Sequence, residues 1–158
     1  MKRYIKTTMY EYLNENKKII FDDLYHGGEV DFNKPMYFTS EFITSTYGKV
    51  SGPYTLNINN YIIIDFTNAE GWWLSPEFAQ IEAKKLDMVL VDFNKYKDFT
   101  DIASIKTDHF VKASLERGFD GIIFKNIMDS GSLQVKGNKW IRHDNIVASN
   151  PKKSVSIN

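Results

Sequence analysis

Residues 17–28 read KKIIFDDLYHGG. Leu24–His26 reads as the end of a β-strand that Gly27 and Gly28 stop. The two glycines place His26 where backbone can approach a ligand closely, because no Cβ stands in the way. A histidine ending an apolar strand against two glycines is the first candidate for chemistry.

Toward the N-terminus, Thr8–Asn16 reads as a short helix, with Thr8 and Glu11 at capping-box spacing and Met9, Tyr12 and Leu13 on one face. Downstream, Met36–Thr39 is a second short strand. Ser40–Tyr47 reads as a helix with Ser40 as its N-cap and Gly48 closing it. Pro53–Ile58 alternates, with Tyr54, Leu56 and Ile58 on one face, as a half-buried strand does. Tyr61–Phe66 is a continuous apolar run, the mark of a more deeply buried strand. Ser75-Pro76 opens a helix to about Leu86. Met88–Phe93 fits strand or helix. Asp108–Arg117 is a helix stopped by Gly118, and Gly121–Phe124 is a buried strand. Leu133–Val135 and Lys139–Ile141 pair across a Gly137-Asn138 turn. Asn145–Ser149 is a late strand. Many short strands with three or four helices make an α+β pattern rather than a regular βαβ alternation.

The chain has 158 residues, enough for one domain with a sizeable core. Lys plus Arg and Asp plus Glu both number 20, so the basic surplus of a dedicated nucleic-acid binder is missing, although a neutral total leaves local patches open. With no cysteine, disulfides, thiolate zinc sites and a cysteine nucleophile are out. The sequence shows no apolar signal-peptide core and no run of about 18 apolar residues, so the expectation is a soluble cytoplasmic protein with no membrane partner. It contains no HExxH, no Walker A or GxGxxG pattern and no GxSxG elbow, and no metal site is expected.

Of the other histidines, His109 falls in the first turn of a helix, as a surface or capping residue, and His143 falls in a turn between Arg142 and Asp144. In YFTSEFITSTYG, residues 37–48, Tyr37 and Tyr47 flank a segment of small hydroxyl residues. If the strand and helix meet there, both rings can face one slot, which suits a planar, electron-poor heterocycle held by stacking. The alternative is that both rings pack the core. Trp72-Trp73 is read as a lid or core element, with a partner surface as the alternative. Asp120, Asp129 and Asp144 all have ordinary turn roles available.

Taken in order, YHGG (25–28), YFTSEFITSTYG (37–48), GFDGIIFKN (118–126) and NIVASNPKKSVSI (145–157) resemble the motifs of the ADP-ribosyltransferase superfamily, H-Y-E type. This is the diphtheria-toxin and PARP-like branch, and especially its small phage and bacterial members, which include ADP-ribosylating anti-CRISPR proteins. The resemblance implies a split β-sheet core with flanking short helices. The whole chain, 1–158, is then a single domain, with a core at about 24–157 and residues 1–17 as a helical N-terminal extension. It implies NAD as co-substrate. His26 would bond a ribose hydroxyl, and the Gly27 backbone would pair with the nicotinamide carboxamide beside Gly28. Tyr37 and Tyr47 would flank the nicotinamide ring, and Thr39 and Ser40 would line the pocket. The family places Glu at the start of its closing strand. Here Asp144 or Asn145 stands there, with Asp129 able to supply charge from a neighbouring loop. Cleaving the ribose–nicotinamide bond passes through an oxocarbenium-like state that a nearby carboxylate stabilises. The expected activity is mono-ADP-ribosylation of a macromolecular acceptor, a protein first of all, as a phage effector against host or defence machinery would perform. NAD hydrolysis and a catalytically degenerate, stoichiometric binding protein are the alternatives.

Overall fold

The structure is a computed structural model and describes residues 3–4, 19–39, 48–69, 71–98, 104–128, 133–134, 139–140 and 142–157. The expected helices at 8–16 and 40–47, the 137–138 turn, Ser40, Tyr47 and Asp129 lie outside the described residues.

The protein is α+β, with two four-stranded sheets. The first has the order β1 (Arg3–Tyr4), β2 (Ile19–Gly27), β4 (Val50–Ile58) and β12 (Val155–Ile157), antiparallel throughout. The second has the order β3 (Met36–Phe38), β11 (His143–Ala148), β8 (Gly121–Ile127) and β5 (Tyr61–Asp65), with β5 parallel to β8 and the other pairs antiparallel. Two small ribbons complete the strands: β6 (Trp73–Leu74) with β7 (Ile105–Lys106), and β9 (Leu133–Gln134) with β10 (Lys139–Trp140).

Alternation along the second sheet sends side chains into two cores. Met36, Phe38, Ile123, Ile146 and Ala148 face Phe21, Leu24, Tyr54, Leu56 and Ile58 of the first sheet. Ile62, Ile64, Ile122, Phe124 and Val147 face a helical layer that supplies Ala79, Ala83, Phe93, Phe110 and Val111. A sheet covered on both faces takes apolar side chains on both, which is why YIII (61–64) and GIIF (121–124) read as apolar runs, while Asp65 at the end of β5 is exposed.

The helical layer comprises α1 (Pro76–Ala83), the 3-10 turns Lys84–Leu86 and Leu90–Tyr96, and α2 (Thr107–Glu116). Ser75 precedes α1 as expected, but its carbonyl, not its side chain, engages the helix by accepting from Phe78 N and Ala79 N. The ambiguous Met88–Phe93 stretch becomes a 3-10 helix, whose start is tied by Val89 N donating to the Asp92 carboxylate at 2.8 Å.

Residues 145–157 are not one closing strand. β11 ends at Ala148, the short helix α3 (Pro151–Ser154) turns the chain, and β12 joins the first sheet beside β4. Pro151 lacks the N–H that a continuing ladder would use, so the strand stops before it.

Candidate functional site

The two large sheets meet at one bridge. Tyr25 N donates to Thr39 O at 2.8 Å, and Thr39 N donates to Tyr25 O at 3.0 Å. Among the described residues, the pairing of β2 with β3 goes no further. One residue beyond the bridge is His26, and two residues back along the facing strand is Tyr37.

The end of β2 is shaped by irregularities. The register against β4 shifts between Phe21 and Leu24 and again between Leu24 and His26, and Asp23 adopts a left-handed conformation at φ 55°. Such bulges re-aim the residues that follow. Gly28, at φ 91°, donates from N to Lys49 O at 2.9 Å, on the β4 side. Since Gly28 N–H points toward β4 and Tyr25 N–H toward β3, alternation directs the Gly27 N–H toward β3, past the last bridge. Gly48, at φ 113°, lies beside Gly28, and a Cβ on it would make ordinary van der Waals contact with the Gly28 backbone at 4.0 Å.

His26 is held on both sides. Its Nδ1 lies 2.8 Å from the Tyr37 carbonyl oxygen and its Nε2 lies 2.7 Å from the Glu29 carbonyl oxygen. The ring also packs against Phe38, with centroids 5.8 Å apart. A neutral imidazole has one N–H and can donate to only one of these carbonyls. With that proton on Nδ1, Nε2 presents a lone pair, and a hydroxyl in place of the Glu29 carbonyl would donate to it. Glu29 sits in the loop before β3, where Asn33 N donates to the Asp31 carboxylate at 2.9 Å. That backbone bond, aided by Lys34, holds the Asp31 carboxyl below its usual range.

Tyr37 faces the helical layer. Its ring stacks on Phe124 at 6.3 Å and 10°, and its hydroxyl donates to Asp108 Oδ1 at 2.8 Å. Asp108 is exposed in the first turn of α2. The sequence gives no sign of this contact, because the partners are 71 positions apart.

The start of β11 separates the two acidic-position candidates. Val147 pairs with Tyr37 and Ile146 with Phe38, so continuing the register sets Asn145 opposite Thr39. Asn145 is buried, pairs with Phe124, and shares the face of Val147 and Tyr37. Asp144 sits in a bulge between His143 and Asn145. Its carboxylate accepts from Lys125 Nζ at 3.1 Å and from Asn126 N at 3.0 Å. Asp144 thus anchors the end of β8, where Asn126 is left-handed at φ 55° and Arg142 donates to the carbonyls of Asn126, Phe66 and Ala69.

Among the candidates named from sequence, then, His26, Gly27, Gly28, Tyr37 and Thr39 gather at the sheet junction with Asn145 beside them. Asp144 is turned to Lys125. His109 proves to be a capping residue, but a buried one: its Nδ1 accepts from Lys106 N at 2.9 Å. Trp72 is exposed, and its ring meets Trp73 edge-on at 5.1 Å. Among the described residues, no group of three or more His, Cys, Asp or Glu side chains is placed to hold a metal ion, and no helix is long and apolar enough to cross a membrane. Comparison with family models, curated proteins and solved structures returns no match for this chain.

Proposed function

We propose that this chain is an NAD-dependent mono-ADP-ribosyltransferase with a protein acceptor, built on an ADP-ribosyltransferase-like split sheet. The observation that carries the reading is the convergence of His26, Gly27, Tyr37 and Thr39, drawn from two motifs, on the point where β2 and β3 stop pairing. A strand whose N–H and C=O groups run on past its partner offers the hydrogen bonds that a planar carboxamide needs. The Gly27 backbone takes the carboxamide, Tyr37 lies along the nicotinamide ring, and His26 Nε2 accepts from a ribose hydroxyl once the Glu29 carbonyl yields. The small phage and bacterial effectors that the motifs resemble fit this role.

A second reading has its own support. Asp144, one of the two residues where the family carries Glu, is spent on Lys125 and Asn126. A chain without a carboxylate at the site would act as a stoichiometric binding protein.

The test is mass spectrometry of lysate proteins incubated with the protein and NAD, with His26→Ala as control. The expected result is a protein carrying the added mass of ADP-ribose that is absent with the variant. If no protein is modified and NAD is left intact, the binding-protein reading replaces this one.

A further inference from the structure

We propose that Asp108, on helix α2, supplies the carboxylate of this site in place of a residue on the closing strand; this rests on the transferase reading above. Bond cleavage at the nicotinamide ribose develops positive charge on C1′ and O4′, and a preorganised anion within reach lowers that barrier. Neither residue at the start of β11 provides it. Asn145 carries no charge, and Asp144, next to it at the register shift, is paired with Lys125 at 3.1 Å. Asp108 is exposed, and its Oδ1 is held 2.8 Å from the hydroxyl of Tyr37, the residue laid along the ring that must leave.

Its position is rigid for a surface aspartate. Lys106, two residues earlier, pairs with Trp73 in the β6–β7 ribbon. Thr107 N donates to Trp72 O at 3.0 Å, and Lys106 N donates to His109 Nδ1 at 2.9 Å. The first turn of α2 is therefore locked on both sides of Asp108, and Phe110 behind it is fully buried. A carboxylate fixed in this way needs little reorganisation when charge develops.

The C1′–N1 bond breaks and its electron pair leaves on the nicotinamide nitrogen, cancelling the pyridinium charge. A lone pair of the acceptor forms the new bond to C1′. The acceptor's proton passes to the Asp108 carboxylate and from there to water. The products are the ADP-ribosylated acceptor, neutral nicotinamide and one proton.

The experiment measures nicotinamide release from NAD, with lysate proteins as acceptor, for the wild type, Asp108→Asn and Asp108→Ala, with and without added formate. Asp108→Asn keeps an oxygen for the Tyr37 hydroxyl while removing the charge. The expected result is a fall in kcat of about a hundredfold or more with KM for NAD changed only a few-fold, and partial recovery of Asp108→Ala by formate. A purely structural role would raise KM or lower the melting temperature without formate recovery, and that result overturns the assignment. Asp108→Asn with the wild-type kcat also overturns it while leaving the transferase reading standing. A wild type that releases no nicotinamide overturns the transferase reading itself.

Discussion

At position 121 a methyl group has no room. A Cβ there would lie 2.9 Å from Ile58 Cγ2 and 3.1 Å from the Val147 carbonyl oxygen, where β8 runs beside β11 and under the first sheet. The second glycine of GFDGI is thus set by packing. Gly121→Ala should lower stability by about 1–3 kcal/mol, the usual range for overpacking, read as a lower urea midpoint; an unchanged midpoint would show that β8 shifts freely. His26 differs, since its half-buried ring meets two backbone carbonyls and Phe38 rather than a tight core on every side. His26→Ala should remove NAD-dependent activity while costing no more than about 1–3 kcal/mol, checked by thermal unfolding beside the activity assay. At this scale the strand end at Leu24–Gly28 was legible, because glycines mark it. The left-handed Asp23, the Glu29 carbonyl on His26 and the Asp108 carboxylate on Tyr37 were not, because each depends on where a distant or bulged backbone lands.

Among the elements, β5 is an edge strand whose backbone is met by Glu82 of α1 and by Lys85 of the 3-10 turn that follows it. Asp65 N donates to Glu82 Oε1 at 2.7 Å, and Lys85 Nζ donates to the Ile63 carbonyl at 3.1 Å and to Glu82 at 2.6 Å. A covered edge gives no template for pairing with another chain. Glu82→Ala should cost about 1–3 kcal/mol, because it leaves the Asp65 N–H without its acceptor. The readout is the denaturation midpoint, with increased association on concentration. The 3-10 helix Leu90–Tyr96 is tied to α2 in another way. The Tyr96 hydroxyl and Lys95 both bond Glu116, at 2.9 Å and 3.1 Å, and together hold its carboxyl below the usual 4.5. A carboxylate whose folded value lies below its unfolded one adds stability above the unfolded value and loses it as pH falls through the folded value. Glu116→Gln should therefore lower the melting temperature at neutral pH and leave it little changed well below pH 4.5, so that the acid side of the profile flattens. A parallel drop across the whole range would contradict this. Element types were mostly legible from periodicity and glycine stops. The split of residues 145–157 between two sheets was not, although Pro151 marked the place.

Across the whole molecule, the second sheet lies between the first sheet and the helices, and this sandwich creates the junction. The apolar runs at 61–66 and 121–124 announced buried strands; Gly121–Phe124 is buried throughout, whereas β5 alternates buried and half-buried positions and ends on exposed Asp65. The order β3-β11-β8-β5 could not be read from them, because each neighbour lies far away in sequence. The motifs located His26 and Tyr37; only the register put them together and set Asn145, rather than Asp144, beside them. On the proposed function, NAD docks at the end of β2 beyond its bridge to Thr39. The direct measurement is a titration of 15N-labelled protein with NAD to about 1 mM, the upper end of ordinary enzyme affinities, followed by amide chemical shifts. Saturable shifts concentrated at 25–29, 37–39 and around Asp108 are expected. Shifts that are absent, or that gather on the far β12 edge of the first sheet, would contradict it.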